Sequence, residues 1–548
     1  MNRKKLFSII AALLLLIVSG AAVLVLFTKR NQATVPVSAV QMFSFNSGLE
    51  PEIRDDAYRT TYQIFVYSFC DSNGDGIGDL NGIRSKLDYI RDLGFDEIWL
   101  TPVHPSPTYH KYDVTDYFGI DPEFGSLEDY DLLLQECHER GIRVLMDLVV
   151  NHTAYAHEWF QKAADYLHEL PEDWEPDSSY CPYFDYYQFS REPKDGYAPL
   201  QDTNWYYEAR FWSGMPDLNL DSPVVREEIQ KIASFWFERG VDGFRLDAVT
   251  SYHTGDPEAN VGFMKWFCQT CRSLKPDCYI VGEAWTDRNA IAKLYESGID
   301  SLFDFPFAGN EGIIRNTVVH SVKASDYVNA MVSLDEQYRS SNPNYIDAPF
   351  YTNHDMARSA GYYALDEGPE TKMAYALSLL MSGNSFVYYG EEIGMKGSGK
   401  DENKRAPMYW SDSPDDSDLC AGPPDMDEVK MKFQSVADQM TDDLSILNWF
   451  REVIAVRNAF PVIARGRVEA TNISTGTVAA FYKVSPDERN VLIIINLGDE
   501  EVSCDLSSEA DGYSMVAVLN TSEEWITLEE KTLMLPGHSI AVFAEDLA

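Results

Sequence analysis

The stretch Arg143-Val-Leu-Met-Asp-Leu-Val-Val-Asn-His152 decides the fold of this chain. It is an almost continuous apolar run that ends in polar residues, which is typical of a strand covered on both faces in a parallel sheet. Seven other runs share this character, and helical patterns separate them. The eight predicted strands are Tyr62–Phe69, Glu97–Val103, Arg143–Val150, Gly243–Val249, Tyr279–Trp285, Ser301–Phe307, Pro349–Asn353 and Ser385–Tyr389. Strand–helix alternation repeated eight times predicts an α/β fold, a (β/α)8 TIM barrel.

The segments around this alternation have a different pattern. We expect the barrel over residues 50–460, with helices such as Leu127–Arg140 between its strands. Residues 153–218, which follow the third strand, are rich in Tyr, Trp, Asp and Pro and predict a small inserted subdomain. Residues 461–548 contain only alternating apolar runs, which are typical of a compact antiparallel β domain.

The first thirty residues form a separate element. Basic residues at positions 3–5 precede an apolar run, Leu6–Phe27, of roughly 22 residues, which as a helix would span about 33 Å. We interpret residues 1–30 as a signal anchor or a signal peptide, and the length favours the uncleaved membrane anchor. Residues 31–49 then form a tether. Either interpretation places the remaining chain outside the cytoplasm, on the extracellular face of the membrane or secreted.

Composition excludes several classes of function. The 44 Lys and Arg residues face 87 Asp and Glu residues, which gives a formal net charge of −43. Nucleic acid is therefore not an expected partner, because phosphate binding needs clustered cations. An acidic chain with 13% aromatic residues suits a neutral substrate instead. The 8 cysteines are too few and scattered for a disulfide scaffold, and we expect a monomer.

Polar residues cluster where four of the predicted strands end. These residues are Asp147, Asn151 and His152 on the third strand, Arg245 and Asp247 on the fourth, Glu283 on the fifth, and Asn353, His354 and Asp355 on the seventh. The carboxyl ends of barrel strands meet on one face, where the function of TIM barrels resides. A single Asp is more often a helix cap or an ion-pair partner. Four acids with two histidines and one arginine on one rim are not explained as caps, because gathering like charges costs free energy.

Glycoside cleavage requires two carboxyl groups in opposite protonation states. Arg245 lies two residues before Asp247, so both side chains point the same way on a strand and the arginine would keep Asp247 ionised. The apolar neighbours of Glu283 would raise its pKa, which suits a general acid. Taken alone, the Arg245–Asp247 pair is equally well explained as a structural salt bridge.

Together these segments resemble the four signature regions of the α-amylase family of retaining glycoside hydrolases (glycoside hydrolase family 13). The four are Asp147-Leu-Val-Val-Asn-His152, Gly243-Phe-Arg-Leu-Asp247, Gly282-Glu-Ala-Trp285 and Asn353-His-Asp355, and they occur in the family's order. The resemblance covers nearly the whole chain from about residue 58. It implies that the insertion corresponds to the family's domain B and the tail to its domain C.

The resemblance also implies a role for each rim residue. Asp247 would be the nucleophile, Glu283 the general acid/base and Asp355 the third acid, which stabilises the distorted transition state. The residues implied to bind the −1 sugar or to orient the acids are Tyr112, Asp113, His152, Arg245, His354 and Arg405. Tyr112 and Asp113 belong to His110-Lys-Tyr-Asp113, in which Lys111 stands where the family usually has Gly.

A second motif, Asp71-Ser-Asn-Gly-Asp-Gly-Ile-Gly-Asp79, predicts a Ca²⁺ loop because oxygen-bearing residues alternate along it. The expected ligands are Asp71, Asn73, Asp75, the Ile77 carbonyl and Asp79. Position twelve is Gly82 and not the bidentate Glu of an EF-hand. The motif instead resembles the short Ca²⁺ loop after strand one of oligo-1,6-glucosidase-like members. The alternative is a Gly/Asp turn that binds no metal.

Smaller features point to a branch of the family. Met215-Pro-Asp-Leu-Asn219 resembles a region of neopullulanases and intermediate members, and Arg405-Ala-Pro-Met408 resembles the oligo-1,6-glucosidase and intermediate branch. Ala248 and Ala284, which follow the two catalytic candidates, favour α-1,4 over α-1,6 specificity. The resulting expectation is an extracellular α-amylase that degrades starch and maltodextrins.

Two alternatives remain open at this point. An α-glucosidase, oligo-1,6-glucosidase or glucanotransferase of the same family would carry the same catalytic residues. A non-catalytic amylase-like membrane subunit is an alternative of another class. The presence of Asp247, Glu283 and Asp355 argues against that subunit.

Overall fold

A computed structural model describes residues 56–546 of the chain except residues 364 and 414–415. At its centre is a barrel of parallel strands, with all strands numbered here in chain order. The barrel strands are β1 (Thr60–Ile64), β2 (Glu97–Leu100), β3 (Arg143–Leu148), β7 (Gly243–Leu246), β8 (Tyr279–Gly282), β9 (Ser301–Leu302) and β10 (Ser385–Tyr388). They are hydrogen-bonded in the order β10-β1-β2-β3-β7-β8-β9. The TIM-barrel prediction is therefore confirmed.

The eighth strand position differs from its prediction. The expected strand Pro349–Asn353 is reduced to two parallel bridges, in which Ala348 pairs with Phe303 and Phe350 pairs with Phe386. These bridges close the cylinder between β9 and β10. The predicted sixth strand is also short, because the chain turns at once after it: the Phe305 N–H bonds to the carbonyl of Phe303. Because the strands between β8 and β10 are short, irregular loops form the rim on this side of the barrel.

Helices surround the barrel. Their bounds are Leu80–Ser85, Leu87–Asp92, Leu127–Glu139, Glu158–Glu169, Pro223–Arg239, Pro257–Leu274, Arg288–Tyr295, Ile313–Val318, Ala324–Ser341, Pro369–Leu379, Asp401–Lys404, Val436–Gln439, Ile446–Ala459 and Val462–Arg465. Leu127–Glu139 shows how local sequence sets such a helix. Ser126 caps its first turn reciprocally with Asp129, and Tyr130, Leu133, Leu134 and Cys137 form its buried face.

Bulky side chains fill the interior of the barrel. Trp99, Leu145, Tyr279, Phe303 and Phe386 belong to one buried apolar cluster there. A second and larger cluster lies between the strands and the surrounding helices and extends into the C-terminal domain. Because the interior is packed, chemistry is confined to the polar rim above it.

The inserted segment after β3 contains a small antiparallel sheet. Its strands are β4 (Phe189–Ser190), β5 (Tyr197–Pro199) and β6 (Tyr206–Glu208), in the order β4-β6-β5. A bridge between His152 and Asp217, and a hydrogen bond of 2.9 Å from the Leu218 N–H to the Asn151 carbonyl, attach this segment to the end of the third barrel strand. The insertion therefore forms one wall beside the rim.

The C-terminal domain, predicted over residues 461–548, begins with the short helix Val462–Arg465 and is then built of strands, as the alternating pattern predicts. Its strands are β11 (Arg467–Ala470), β12 (Val478–Val484), β13 (Val491–Asn496), β14 (Val502–Asp505), β15 (Tyr513–Asn520), β16 (Thr527–Glu529), β17 (Thr532–Leu535) and β18 (Ser539–Glu545). They form two antiparallel sheets, ordered β11-β12-β13-β18-β15 and β14-β17-β16.

The expected membrane segment, residues 1–30, and the tether, residues 31–49, lie outside the described residues. Within the described part of the chain, no helix combines the length and the apolar character that crossing a bilayer requires.

Candidate active site

Neighbouring barrel strands bring the predicted acids together around one arginine. Asp147 on β3 pairs in register with Arg245 on β7. The Arg245 side chain is fully buried, and its Nη1 lies 2.9 Å from Asp147 Oδ1 and 2.9 Å from Asp247 Oδ1. Its Nη2 lies 3.0 Å from Glu283 Oε1. A single guanidinium therefore holds three carboxyl groups, including the two that glycoside cleavage needs.

Burial and charge set the protonation of this group. Burial raises the pKa of Glu283 to about 8, although Arg245 opposes the shift, and the charges of Asp247 and Asp355 add to it. Glu283 therefore carries a proton at neutral pH, as a general acid must. Burial likewise raises the pKa of Asp147 to about 7 against the effect of Arg245. Burial alone would lower the pKa of Arg245, but the surrounding acids raise it well above its usual value.

The backbone next to Asp247 is strained. Ala248 has a φ of +47°, in the left-handed region that residues with a Cβ rarely adopt. This conformation directs the Ala248 N–H toward Glu283, with 3.2 Å between the nitrogen and Oε2. Strain of this kind is concentrated at functional sites, because the surrounding structure must hold it in place.

The third acid, Asp355, faces this group from the other side of the rim. Arg405 Nη2 lies 2.7 Å from Asp355 Oδ1, and His354 Nε2 lies 3.0 Å from Oδ2. Burial opposes the ionisation of Asp355, but the contacts from His354 and Arg405 hold its pKa down at about 2. Asp355 is therefore a permanent anion at the pH of any ordinary assay.

His354 is a neutral imidazole with a defined tautomer. Burial lowers its pKa to about 3. The Gln63 amide nitrogen lies 2.8 Å from Nδ1, so that ring nitrogen accepts and the proton resides on Nε2. That proton faces Tyr112 Oη at 2.7 Å and Asp355 Oδ2. The contact between His354 and Asp355 is therefore a hydrogen bond and not an ion pair.

Tyr112 lies at the rim as the motif predicts. Its ring is parallel to that of His354, with an interplanar angle of 1° and 5.4 Å between the centroids. Its hydroxyl donates to Asp147 Oδ2 at 2.9 Å. The half-buried ring is thus fixed at both its face and its tip, next to the three acids.

Two predicted sugar ligands are engaged with the protein itself. Asp113 is buried, and its Oδ1 accepts hydrogen bonds from Ser106 at 2.7 Å and from Thr108. His152 Nε2 lies 3.2 Å from the carbonyl oxygen of Tyr112, to which it donates. Both residues support the loop that carries Tyr112, and their contact with a sugar stays a prediction.

Several residues of the site have weak sequence signals. Gln63 lies in β1, whose sequence Thr-Thr-Tyr-Gln-Ile contains other polar residues, so nothing local singles it out. The indole of Trp99 donates to Asp147 Oδ2 at 3.2 Å, and Tyr109 Oη accepts from Arg405 Nη1 at 2.7 Å. Lys404 Nζ donates to the carbonyl oxygen of Asp355 at 2.9 Å. These three contacts join distant parts of the chain, and no local pattern reveals them.

The loop with the calcium motif is ordered by its own side chains. Asp71 accepts from the N–H groups of Asn73 and Gly74, at 2.9 and 2.7 Å, and Asp79 accepts from that of Gly82 at 2.7 Å. Asp75 Oδ1 accepts from the Ile77 N–H at 2.8 Å. Within the described residues, no three His, Cys, Asp or Glu side chains converge on a metal-binding point. Metal binding at this loop stays a prediction.

Comparison with known proteins agrees with this geometry. The family model of the alpha-amylase catalytic domain matches residues 63–466. Alpha-amylase 3 of Dictyoglomus thermophilum is 35% identical over 501 residues, which covers 88% of this chain and 92% of that protein. An oligo-1,6-glucosidase of Heyndrickxia coagulans is 30% identical over 528 residues, covering 81% of this chain and 92% of that protein.

A solved structure, Eubacterium rectale Amy13B, superposes on this chain with a TM-score of 0.91 at 46% identity, covering 94% of this chain and all of that one.

Proposed function

Since this chain belongs to the α-amylase family of glycoside hydrolases, we propose that it hydrolyses α-1,4-glucosidic bonds in starch and maltodextrins, with retention of anomeric configuration. The observation that carries the proposal is the Arg245 guanidinium, which holds Asp247 and Glu283 within about 3 Å of its two nitrogens. Two carboxyl groups so close together fit the separation of roughly 5 Å that retaining enzymes use. The buried Glu283 carries the proton that the leaving group needs.

In the first step Asp247 attacks the anomeric carbon of the −1 sugar. The C–O bond to the departing chain breaks, and Glu283 transfers its proton to the leaving oxygen. Arg245 Nη2, 3.0 Å from Glu283 Oε1, stabilises the carboxylate that results. Asp355, already ionised, stabilises positive charge on the ring, and Tyr112 stacks on the ring.

In the second step Glu283 acts as the base. It accepts a proton from water, the water oxygen attacks the anomeric carbon, and the bond to Asp247 breaks. Glu283 is then protonated again and Asp247 is again a carboxylate. Two inversions give net retention, and the enzyme returns to its starting state.

The leaving-group side of the site supports a long substrate. A groove of about 670 Å³ is lined by Trp285, which lies two residues after Glu283, by Phe305, which follows β9, and by Met356, which follows Asp355. The Trp285 ring is 54% exposed and stacks on Phe305, with 5.0 Å between centroids. An exposed indole face suits the apolar face of a glucose unit. A groove on this side accommodates a long leaving group, which both an α-amylase and an α-glucosidase acting on maltodextrins need, so the products of cleavage must distinguish the two.

The products of maltoheptaose cleavage test this proposal. The full chain is expected to release a mixture of short maltodextrins early in the time course, and Glu283→Gln is expected to release them at least about 100-fold more slowly. Glucose alone from the start would instead indicate an α-glucosidase or oligo-1,6-glucosidase, and products longer than the substrate a glucanotransferase. No turnover of any α-glucan by a folded chain would support the non-catalytic subunit.

We further propose that the loop Asp71–Asp79 binds one Ca²⁺ ion. Three carboxylates, the Asn73 amide oxygen and the Ile77 carbonyl form a donor set of hard oxygens, which is what Ca²⁺ prefers. Bound metal would hold the turn before the helix Leu80–Ser85, whose first turn Asp79 already caps.

Removal of calcium tests this site. Chelation is expected to lower the melting temperature, because a ligand that binds only the folded state stabilises it. Asp75→Ala is the test variant, since the Asp75 side chain is exposed and accepts a hydrogen bond from the loop backbone. Its melting temperature should be insensitive to added calcium. An unchanged calcium response in this variant, or no response in the unmodified chain, would favour the metal-free turn.

The cellular location is proposed from the first thirty residues. We propose that they anchor the chain in the membrane with the catalytic domains on the extracellular side, and that the chain is a monomer. Fractionation of cells that express the full chain checks the anchor, with a chain starting at Gln32 as the control. Release of the full chain into the medium, shortened at its N-terminus, would show a cleaved signal peptide instead.

A further inference from the structure

Lys111, the residue that departs from the family motif, adopts a strained conformation. Its φ of +65° lies in the left-handed region, which favours glycine. A lysine at this position must therefore make contacts that offset the strain. The neighbouring residues His110 and Tyr112 belong to the loop that forms the rim of the active site.

The ammonium group of Lys111 supplies those contacts. The residue is only 2% exposed, and its Nζ lies 2.9 Å from Asp121 Oδ2 and 2.5 Å from Glu123 Oε2. The same nitrogen lies 5.3 Å from the centroid of the Phe124 ring. A buried charge is tolerated when it is paired and hydrogen-bonded, and removal of one partner leaves the other uncompensated.

Asp121 connects Lys111 to the rest of the rim loop. Its Oδ2 also accepts a hydrogen bond from the Ser106 N–H at 3.1 Å. The Ser106 hydroxyl in turn donates to Asp113 at 2.7 Å. These contacts run from Lys111 through Asp121 and Ser106 to Asp113, and so link the two residues that flank Tyr112 in sequence.

We propose that Lys111 is a positioning residue for Tyr112. Its ammonium group holds the backbone of the loop in the conformation in which the Tyr112 hydroxyl donates to Asp147. The hydroxyl lies 2.9 Å from Asp147 Oδ2, and the ring is parallel to His354. Loss of the ammonium would let the loop turn and would displace the ring from the −1 position. Lys111 itself touches neither the catalytic acids nor the expected sugar.

This inference rests on the proposed function, so its test uses a substrate that reports on the −1 position alone. Turnover of p-nitrophenyl α-glucoside depends on the −1 sugar whichever α-glucan the enzyme prefers. A failure of the maltodextrin proposal is therefore distinguishable from a failure of the Lys111 proposal. Absence of turnover of both this glucoside and maltoheptaose in the unmodified chain would overturn both proposals.

Lys111→Met keeps the length of the side chain and the backbone strain but removes the charge. We expect kcat to fall about 10- to 100-fold, the range typical of a catalytic group displaced by about 1 Å. Lys111→Arg should restore most of kcat. Lys111→Gly removes the strain as well as the charge, so its melting temperature should exceed that of Lys111→Met while its kcat stays low.

Two comparisons separate positioning from stability. Lys86 is the matched control, because its Nζ also pairs with an acid, Asp418 at 2.6 Å, and lies 4.4 Å from the Trp410 ring centroid. Lys86→Met should lower the melting temperature and leave kcat unchanged. In a Tyr112→Ala background, Lys111→Met should cause no further loss of kcat, because the residue through which it acts is gone.

Three results would overturn the proposal. The first is a Lys111→Met enzyme that loses thermal stability but keeps its kcat. The second is a Lys111→Gly enzyme with the kcat of the unmodified chain, since the ammonium would then have no part in catalysis. The third is a full additional loss of kcat in the Tyr112→Ala background.

Discussion

Replacement of Asp247 by Asn is expected to lower kcat for maltodextrins by at least about 10⁴-fold, or roughly 5.5 kcal/mol of transition-state free energy. The amide is a poor nucleophile, so the covalent intermediate cannot form. Arg245 retains its contacts with Asp147 and Glu283, at 2.9 and 3.0 Å, which should preserve the barrel around the site. Steady-state kinetics on maltoheptaose, with the melting temperature measured in parallel, give the result.

Chemical rescue distinguishes a nucleophile from a structural acid. Asp247→Ala leaves space beside the anomeric carbon, and added azide should react there with p-nitrophenyl α-glucoside. The expected product is the β-glucosyl azide, because a single displacement inverts the configuration. An Asp247→Asn enzyme that keeps a tenth or more of its kcat would show that Arg245 and Asp247 form only a salt bridge.

Replacement of Glu283 by Gln is expected to lower kcat for maltodextrins by about 10² to 10⁴-fold, the usual contribution of general acid catalysis. The unmodified enzyme should also lose activity as the pH rises through about 8, because burial raises the pKa of Glu283 to that value and only the protonated form can act as the acid. At pH values well below 8 Glu283 is protonated, so its ionisation produces the alkaline limb of the pH–activity profile.

The pH profile of kcat/KM checks the assignment to Glu283. The alkaline limb should be absent from the Glu283→Gln profile. The loss of kcat/KM, which reports the first step, should also be much smaller for p-nitrophenyl α-glucoside than for maltodextrins, because nitrophenolate leaves without a proton. Equal losses of kcat/KM on both substrates, or an alkaline limb that persists in the variant, would contradict the role of Glu283 as the acid.

Glu283 and Asp355 differ in protonation because their surroundings differ. Glu283 is buried beside Arg245 and accepts the N–H of the strained Ala248. Asp355, on the other side of the rim, is held as an anion by the charge of Arg405 and by a hydrogen bond from His354. The rim thus combines a protonated Glu283 with an ionised Asp355. Burial dominates at Glu283 and raises its pKa, whereas neighbouring donors and charge dominate at Asp355 and lower its pKa.

The sequence by itself determined the barrel, the antiparallel tail and the identity of the rim acids. These features depend on local order: apolar runs of strand length, helical spacing between them, and polar residues where each strand ends. Register then follows from parallel pairing, as in the alignment of Asp147 with Arg245. The family resemblance added the expected role of each acid, which the variants above test.

Only the tertiary structure decided how these residues are used. It showed that Arg245 holds three acids, that Asp113 points into its own loop and that Lys111 is buried against Asp121. The contact of Tyr109 with Arg405 joins residues 296 positions apart. The physical reason is that burial and pairing depend on which distant segments the fold brings together. A local sequence pattern contains no information about contacts between residues that are far apart in the chain.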